Sequence, residues 1–222
     1  MTNSQNVKKL VGLATLTALV VGLQFLSNYV SFGSVSITLA LIPIAMGAIL
    51  YGPLAGLFLG LVMGGIVLAA PSTIAVFMPI NVGMTIVLCL LKTGLAGLVS
   101  GLLFKLFARI AKKQTETSKK KVLFAAGIIV AALVVPVINT GLFIVGAVLF
   151  FSEPFGGTFA GIVSAVITTN FLIEFLVSAL LSPALVTLVQ VLTRQNDLGF
   201  QKEFKNFIFD DEVEVEQITV NA

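Results

Sequence analysis

Apolar residues run along this chain in long, continuous stretches, and polar residues break them at intervals. An α-helix needs about 20 apolar residues to cross a bilayer core, and a backbone in lipid must satisfy its own hydrogen bonds. Nothing in the stretches alternates with period two, which argues against a membrane β-barrel. The pattern predicts six helical spans. The first covers about Leu10 to Asn28 and is followed by no signal-peptide cleavage pattern. A second runs from Val35 to Leu50 and is broken by Tyr51-Gly52-Pro53. The third covers Leu54 to Ala70, after which Pro71-Ser72-Thr73 opens an irregular stretch. Helix four extends from Pro79 to Phe107, helix five from Val122 to Phe151 with a kink expected at Pro136, and helix six from Thr158 to Thr193.

Composition agrees with the pattern. Hydrophobic residues make up 58% of the 222 and charged residues 10%, against about 25% charged in a soluble domain. Such a chain cannot cover its surface with polar groups, so an all-α integral membrane protein is expected. There is no His and one Cys. An intrachain disulfide, a His-based triad and an HExxH zinc site are therefore excluded, and no metal site is expected. Cys89 reads as a packing residue.

The charges are unevenly placed. Lys8 and Lys9 precede helix one, while Lys105, Arg109, Lys112, Lys113, Lys119, Lys120 and Lys121 surround the connection of helices four and five. Arg194, Lys202 and Lys205 follow helix six, and the opposite connections hold only Glu153. The positive-inside rule then puts both termini in the cytoplasm. Residues 1–195 are read as the membrane domain and 196–222 as a cytoplasmic tail, acidic through Asp210, Asp211, Glu212, Glu214 and Glu216.

Small residues recur every fourth position: Gly52, Gly56, Gly60 and Gly64 in helix three, and Gly97 and Gly101 in helix four. This spacing lets another helix approach closely, and packing within the bundle is the expected use. Ala14 and Ala18 form a similar pair in helix one.

Polar residues within the spans are the candidate chemistry. Lys92 lies near mid-depth of helix four, where burying a charge costs about 2.5–3.5 kcal/mol on insertion scales. Asn81, Thr85 and Lys92 fall on one helical face. Glu174 lies near the middle of helix six with Asn170 one turn away, and helix five adds Asn139 and Thr140 just after Pro136. Gln24 and Asn28 share a face at the outer end of helix one. Two readings stand open. Lys92 and Glu174 form an intramembrane ion pair with the Asn residues bridging helices, or the whole set lines an outward cavity for a small polar molecule with a negative group. With no Trp and two Tyr, a large planar ligand has few stacking partners. No Walker A sequence is present, so an energy source would come from elsewhere.

Over about residues 8–195 the chain resembles the S components of energy-coupling factor (ECF) transporters, the vitamin uptake systems of prokaryotes. The resemblance rests on the six-helix plan, on Ala14-x-x-x-Ala18, and on the stretch from Leu41 to Gly56 with its Tyr51-Gly52-Pro53 turn. It implies a subunit that captures a vitamin from outside and topples in the plasma membrane against a coupling subunit, the T component. Ala14 and Ala18 would make that contact. Two cytoplasmic ATPases would consume ATP, this chain carrying no cofactor of its own, and no nucleic acid is involved. The stretch Val135 to Phe143 and the segment around Asn170 to Glu174 are similar to pantothenate-type members. Pantothenate offers a carboxylate for Lys92 and an amide and hydroxyls for the Asn, Thr and Glu groups. Folate, biotin, riboflavin, pyridoxine-like and pyrimidine ligands remain alternatives. Outside the family, a stand-alone secondary transporter or channel coupled through Glu174 or Lys92, and a lipid-modifying enzyme using the same two residues, also remain open.

Overall fold

The computed structural model describes residues 3–29, 31–32, 35–36, 38–151 and 171–194. These residues are almost all helical. The first helix, α1 (Asn3–Tyr29), buries only a narrow strip made of Leu16, Val20, Gln24 and Ser27. Spaced by three or four residues, they face one way, toward α2 and α3.

The second predicted helix begins later than its apolar run. Ser31–Phe32 (β1) pairs antiparallel with Val35–Ser36 (β2), Ser31 opposite Ser36 and Phe32 opposite Val35. Helix α2 starts only at Leu41 and ends at Tyr51. Val35, Ile37 and Thr38 are β-branched, stiff at χ1 and suited to extended backbone, so hydrophobicity alone overran the helix start. Within α2, nine of 11 residues are buried. Among the described residues it touches each of the other α-helices and is the axis of the core, with Ile44 and Ile49 fully enclosed. One residue, Gly52, joins it to α3 (Pro53–Leu68). Gly52 has φ 99°, a conformation glycine tolerates, and Pro53 opens α3 where its missing N–H costs nothing.

After α3 the chain makes a π-helical turn, Thr73–Phe77, widened by the Met78 N–H reaching back five residues to the Thr73 carbonyl at 3.1 Å. Helix α4 covers Val82–Lys112 rather than starting at Pro79, because Asn81 in extended backbone caps it. Helix α5 (Thr117–Phe150) begins before the apolar run and continues through Pro136. The last described helix, α6, covers Leu172–Arg194. The start expected for it at Thr158 lies outside the described residues.

Of these helices α1, α4, α5 and α6 are long and apolar enough to cross a membrane, while α2 and α3 are shorter. At 1.5 Å per residue, α2 reaches about 16 Å and α3 about 24 Å, less than a hydrocarbon core of about 30 Å. The expected six full spans are thus, among the described residues, four long helices and a short, bent pair.

The glycine spacing is explained by packing within the chain. Helices α3 and α4 run antiparallel with glycines in the seam. A Cβ on Gly56 would strike the Gly97 carbonyl, and one on Gly60 the Thr93 carbonyl. One on Gly64 would lie 2.6 Å from Thr93 Oγ1, and one on Gly101 2.6 Å from Pro53 Cα. Over about three turns the two backbones approach directly at Gly56, Gly60 and Gly101, with the Thr93 hydroxyl lying over Gly64, as small residues permit in helices without a hydrophobic drive between them.

Candidate functional site

The opposite side of α4 faces α5 and is built differently. Ser100 Oγ donates to the Ala131 carbonyl at 2.7 Å, both groups buried. That carbonyl lies one residue before Ala132, whose i+4 partner Pro136 has no N–H to give. A hydroxyl from a neighbouring helix is a common support for backbone near a membrane proline. Two turns along, Lys92 reaches the ring of Phe143 on α5, with Nζ 4.9 Å from the centroid. This is a cation–π contact.

Phe143 belongs to a small aromatic cluster. Phe77, presented by the π-helical turn, meets it edge-on at 5.7 Å between centroids, and meets Phe151 in the same way at 5.3 Å. One turn from Phe143 on α5, Asn139 and Thr140 are both 6% exposed. Asn139 Oδ1 is buried with no hydrogen-bond partner among the described residues, an arrangement that costs stability unless something arrives to satisfy it.

Glu174 on α6 is equally buried at 6% exposure. Thr38, just before α2, is its hydrogen-bond partner, and Lys92 is near enough to act on it electrostatically. The two charges do not close into a contact ion pair: Lys92 rests on Phe143 instead. The simple ion-pair reading of the sequence is corrected here. A carboxylate held by a hydroxyl, and an ammonium held by a ring, leave the Coulombic attraction between them unsaturated.

The other sequence candidates are more scattered. Asn81 is exposed and its Oδ1 accepts the Met84 N–H at 3.0 Å as the cap of α4. Thr85 is buried and its hydroxyl donates to the Asn81 carbonyl at 2.7 Å. Both serve the first turn of α4, Thr85 about 10 Å and Asn81 about 16 Å along the axis from Lys92. Gln24 is buried on the side of α1 that meets α2 and α3. Asn28 lies in the last turn of α1, and Asn170 is outside the described residues. Thr38 and Phe143 were not singled out from sequence, although both now stand next to the charges.

Ala14 and Ala18 are exposed on α1, opposite its buried strip. Gly22, one turn further, is also exposed, and a Cβ there would meet nothing within 4 Å. The small-residue line on α1 is therefore not used inside the described fold, unlike the glycines of α3 and α4.

Apolar helices around a few buried polar groups, with most of the outer surface apolar, define a membrane-embedded helical protein. More particularly, the chain belongs to the ECF transporter substrate-specific component family, whose model matches residues 8–186. That family is a transporter's substrate-binding component and not an enzyme class. No curated protein and no solved structure is detectably similar to the chain.

Proposed function

We propose that this chain captures a small anionic vitamin, with pantothenate the best candidate, as the binding subunit of an ATP-driven importer in a prokaryotic plasma membrane. The observation that carries the reading is the approach of Lys92 to Glu174 without a contact ion pair, one helical turn along α5 from Asn139, whose buried Oδ1 lacks a partner among the described residues. A ligand carboxylate takes Lys92, and an amide N–H or hydroxyl of the same ligand donates to Asn139 Oδ1 and to Glu174. Thr140 and Asn170 add hydrogen bonds, and Asn81, Thr85, Gln24 and Asn28 belong to the approach from outside. The helical hairpin α2–α3 completes six membrane-embedded helices, with both termini and the tail from residue 196 in the cytoplasm.

Delivery needs partners. The exposed line Ala14, Ala18 and Gly22 supports a close, reversible contact with a membrane coupling subunit. Two cytoplasmic ATPases joined to that subunit supply the energy, and toppling of this chain releases the vitamin inside. Equilibrium binding of labelled pantothenate to the purified chain tests the capture step, with riboflavin, folate, biotin, pyridoxine and thiamine as competitors. Tight binding displaced only by pantothenate is expected. Displacement by another vitamin moves the substrate, and no binding of any of them overturns the pocket. Ala14→Trp with Ala18→Trp should leave binding intact and abolish co-purification with the coupling subunit. Unchanged co-purification would remove α1 from that contact.

A further inference from the structure

The end of the molecule away from Lys92 carries a second arrangement that the capture step does not use. Between residues 105 and 121 the sequence holds seven basic side chains against one acid, Glu116. Arg109 and Lys112 close the last turn of α4, where the carbonyl end of a helix favours cations. Lys119, Lys120 and Lys121 are placed the other way. They stand at the opening of α5, whose first turn has no acid, so the helix dipole and their mutual repulsion both oppose them. A topology signal needs basic residues in this connection but not at this spot. Among the described residues they are relieved by the Lys119–Glu116 bridge at 3.2 Å, with both side chains more than 60% exposed, and exposed pairs of this kind contribute little.

A groove of about 430 Å³ opens beside these lysines, lined by Gln114, Ser118, Lys119, Val122 and Leu123. Its lining is amphipathic along the chain: an amide, a hydroxyl and an ammonium, then two aliphatic side chains. Val122 is 67% exposed and lies where the apolar span of α5 begins. A polar, cationic end and an apolar end meeting at the level where a helix enters the bilayer match one class of molecule. We infer that this groove seats the headgroup of an anionic phospholipid. The phosphate faces Ser118 and the lysines, and the acyl chains pass Val122 and Leu123 into the bilayer. Such a contact offsets the charge crowding at the start of α5 and fixes the depth of the α4–α5 hairpin. Clustered basic residues at a membrane surface are known to hold anionic lipids in this way. The inference is independent of which vitamin the chain binds.

The test uses the full chain in a neutral detergent, titrated with phosphatidylglycerol or phosphatidylcholine in mixed micelles and followed by thermal unfolding. Phosphatidylglycerol should raise the midpoint saturably, as a ligand of the folded state does, and phosphatidylcholine should not. The triple variant K119Q/K120Q/K121Q should weaken the apparent affinity by about fivefold for each lysine removed, whereas K8Q/K9Q should leave it unchanged. Glu116→Gln removes the one repelling acid and should tighten it. Equal responses to both lipids would overturn the inference and leave the patch to an acidic protein surface. So would equal losses in the two lysine variants, or a matching shift from inorganic phosphate. Should the triple variant fail to fold, the native chain still decides: the phosphatidylglycerol shift must shrink as salt rises, and Glu116→Gln must enlarge it.

Discussion

Helix α4 has two interfaces of opposite character. Toward α3 it presents Gly97 and Gly101 with buried Thr93, where backbone approaches backbone over about three turns, and Gly94 under the Leu57 and Leu61 side chains. Toward α5 it presents the side chains of Leu88, Lys92, Ser100 and Phe104, which meet Gly146, Phe143, the Ala131 carbonyl and Phe124. The first interface has little freedom to adjust, because most of the atoms that would have to give belong to the backbone. The second is built from rotatable groups that can change partner. The difference suits a protein that holds its shape around one half-buried charge resting on a replaceable side-chain partner. It also separates the side of α4 that reports on fold from the side that carries the candidate site.

The largest effect is expected at the rigid seam. Gly97→Val would drive its side chain into the Gly56 carbonyl and to within 3.0 Å of Ile44 Cγ2. Backbone cannot yield as a side chain can, so a loss of about 3 kcal/mol or more is expected, at or above the upper end of overpacking costs. Thermal unfolding or the yield of folded protein reads it. A variant as stable as the parent would show that α3 and α4 can part, and the contrast between the interfaces would fall.

Lys92→Ala sits on the adjustable side and should behave oppositely. Removing one charge-assisted hydrogen bond to an anionic ligand costs about 1.5–3 kcal/mol, a loss of roughly 10- to 150-fold in affinity for pantothenate. The unfolding midpoint should hold or rise, since a partly buried cation has been removed from the bundle. Undiminished binding in equilibrium titration would place the ligand elsewhere.

Much of this contrast was legible in the sequence, and the reason lies in periodicity. Gly56, Gly60 and Gly64 repeat along one helix, and so do Gly97 and Gly101, so each stripe announces a face without knowledge of the partner. Tyr51-Gly52-Pro53 is likewise local, its positive φ and its helix-opening proline both properties of the residues themselves. The start of α2 falls later than its apolar run because hydrophobicity does not distinguish the strand Val35–Ser36 from the helix that begins at Leu41. The cap was local too: Asn81 before an apolar run is a start signal, but Pro79 drew the boundary three residues early. The site was only half legible. Depth along a helix can be counted, so Lys92 and Glu174 could be proposed as neighbours from sequence, and Lys92 does stand near enough to act on Glu174 electrostatically. Which way each turns depends on the register between helices, and no local pattern contains that. Phe143 under Lys92 and Thr38 beside Glu174 are consequences of register, and so is the absence of a contact ion pair.

Ser100→Ala measures the same interface away from the charge. It removes the hydroxyl from the Ala131 carbonyl next to the proline-interrupted stretch of α5. Buried interhelical hydrogen bonds in membrane proteins average about 0.6 kcal/mol, and a loss of that size in unfolding free energy is expected, with ligand affinity unchanged. A change in affinity without a change in stability would mean that the α5 backbone at this level moves during binding, extending the adjustable region two turns beyond Lys92.

The smallest expected effect separates a ring that holds a charge from a ring that fills space. Phe143→Leu removes both the cation–π contact with Lys92 and the edge contact with Phe77, so its own destabilisation does not distinguish them. A double-mutant cycle with Lys92→Met does, because Phe77 is present at every corner and its contribution cancels. The coupling between positions 92 and 143 should be about 0.5–1 kcal/mol, the range for a partly exposed cation–π pair. Zero coupling would reduce Phe143 to packing and leave Lys92 without a resting partner in the empty site. A coupling well above that range would mean the ring holds the ammonium too firmly to release it. Lys92 would then meet its ligand while still on Phe143, and the ring would become part of the binding surface and not merely the seat of the unliganded charge.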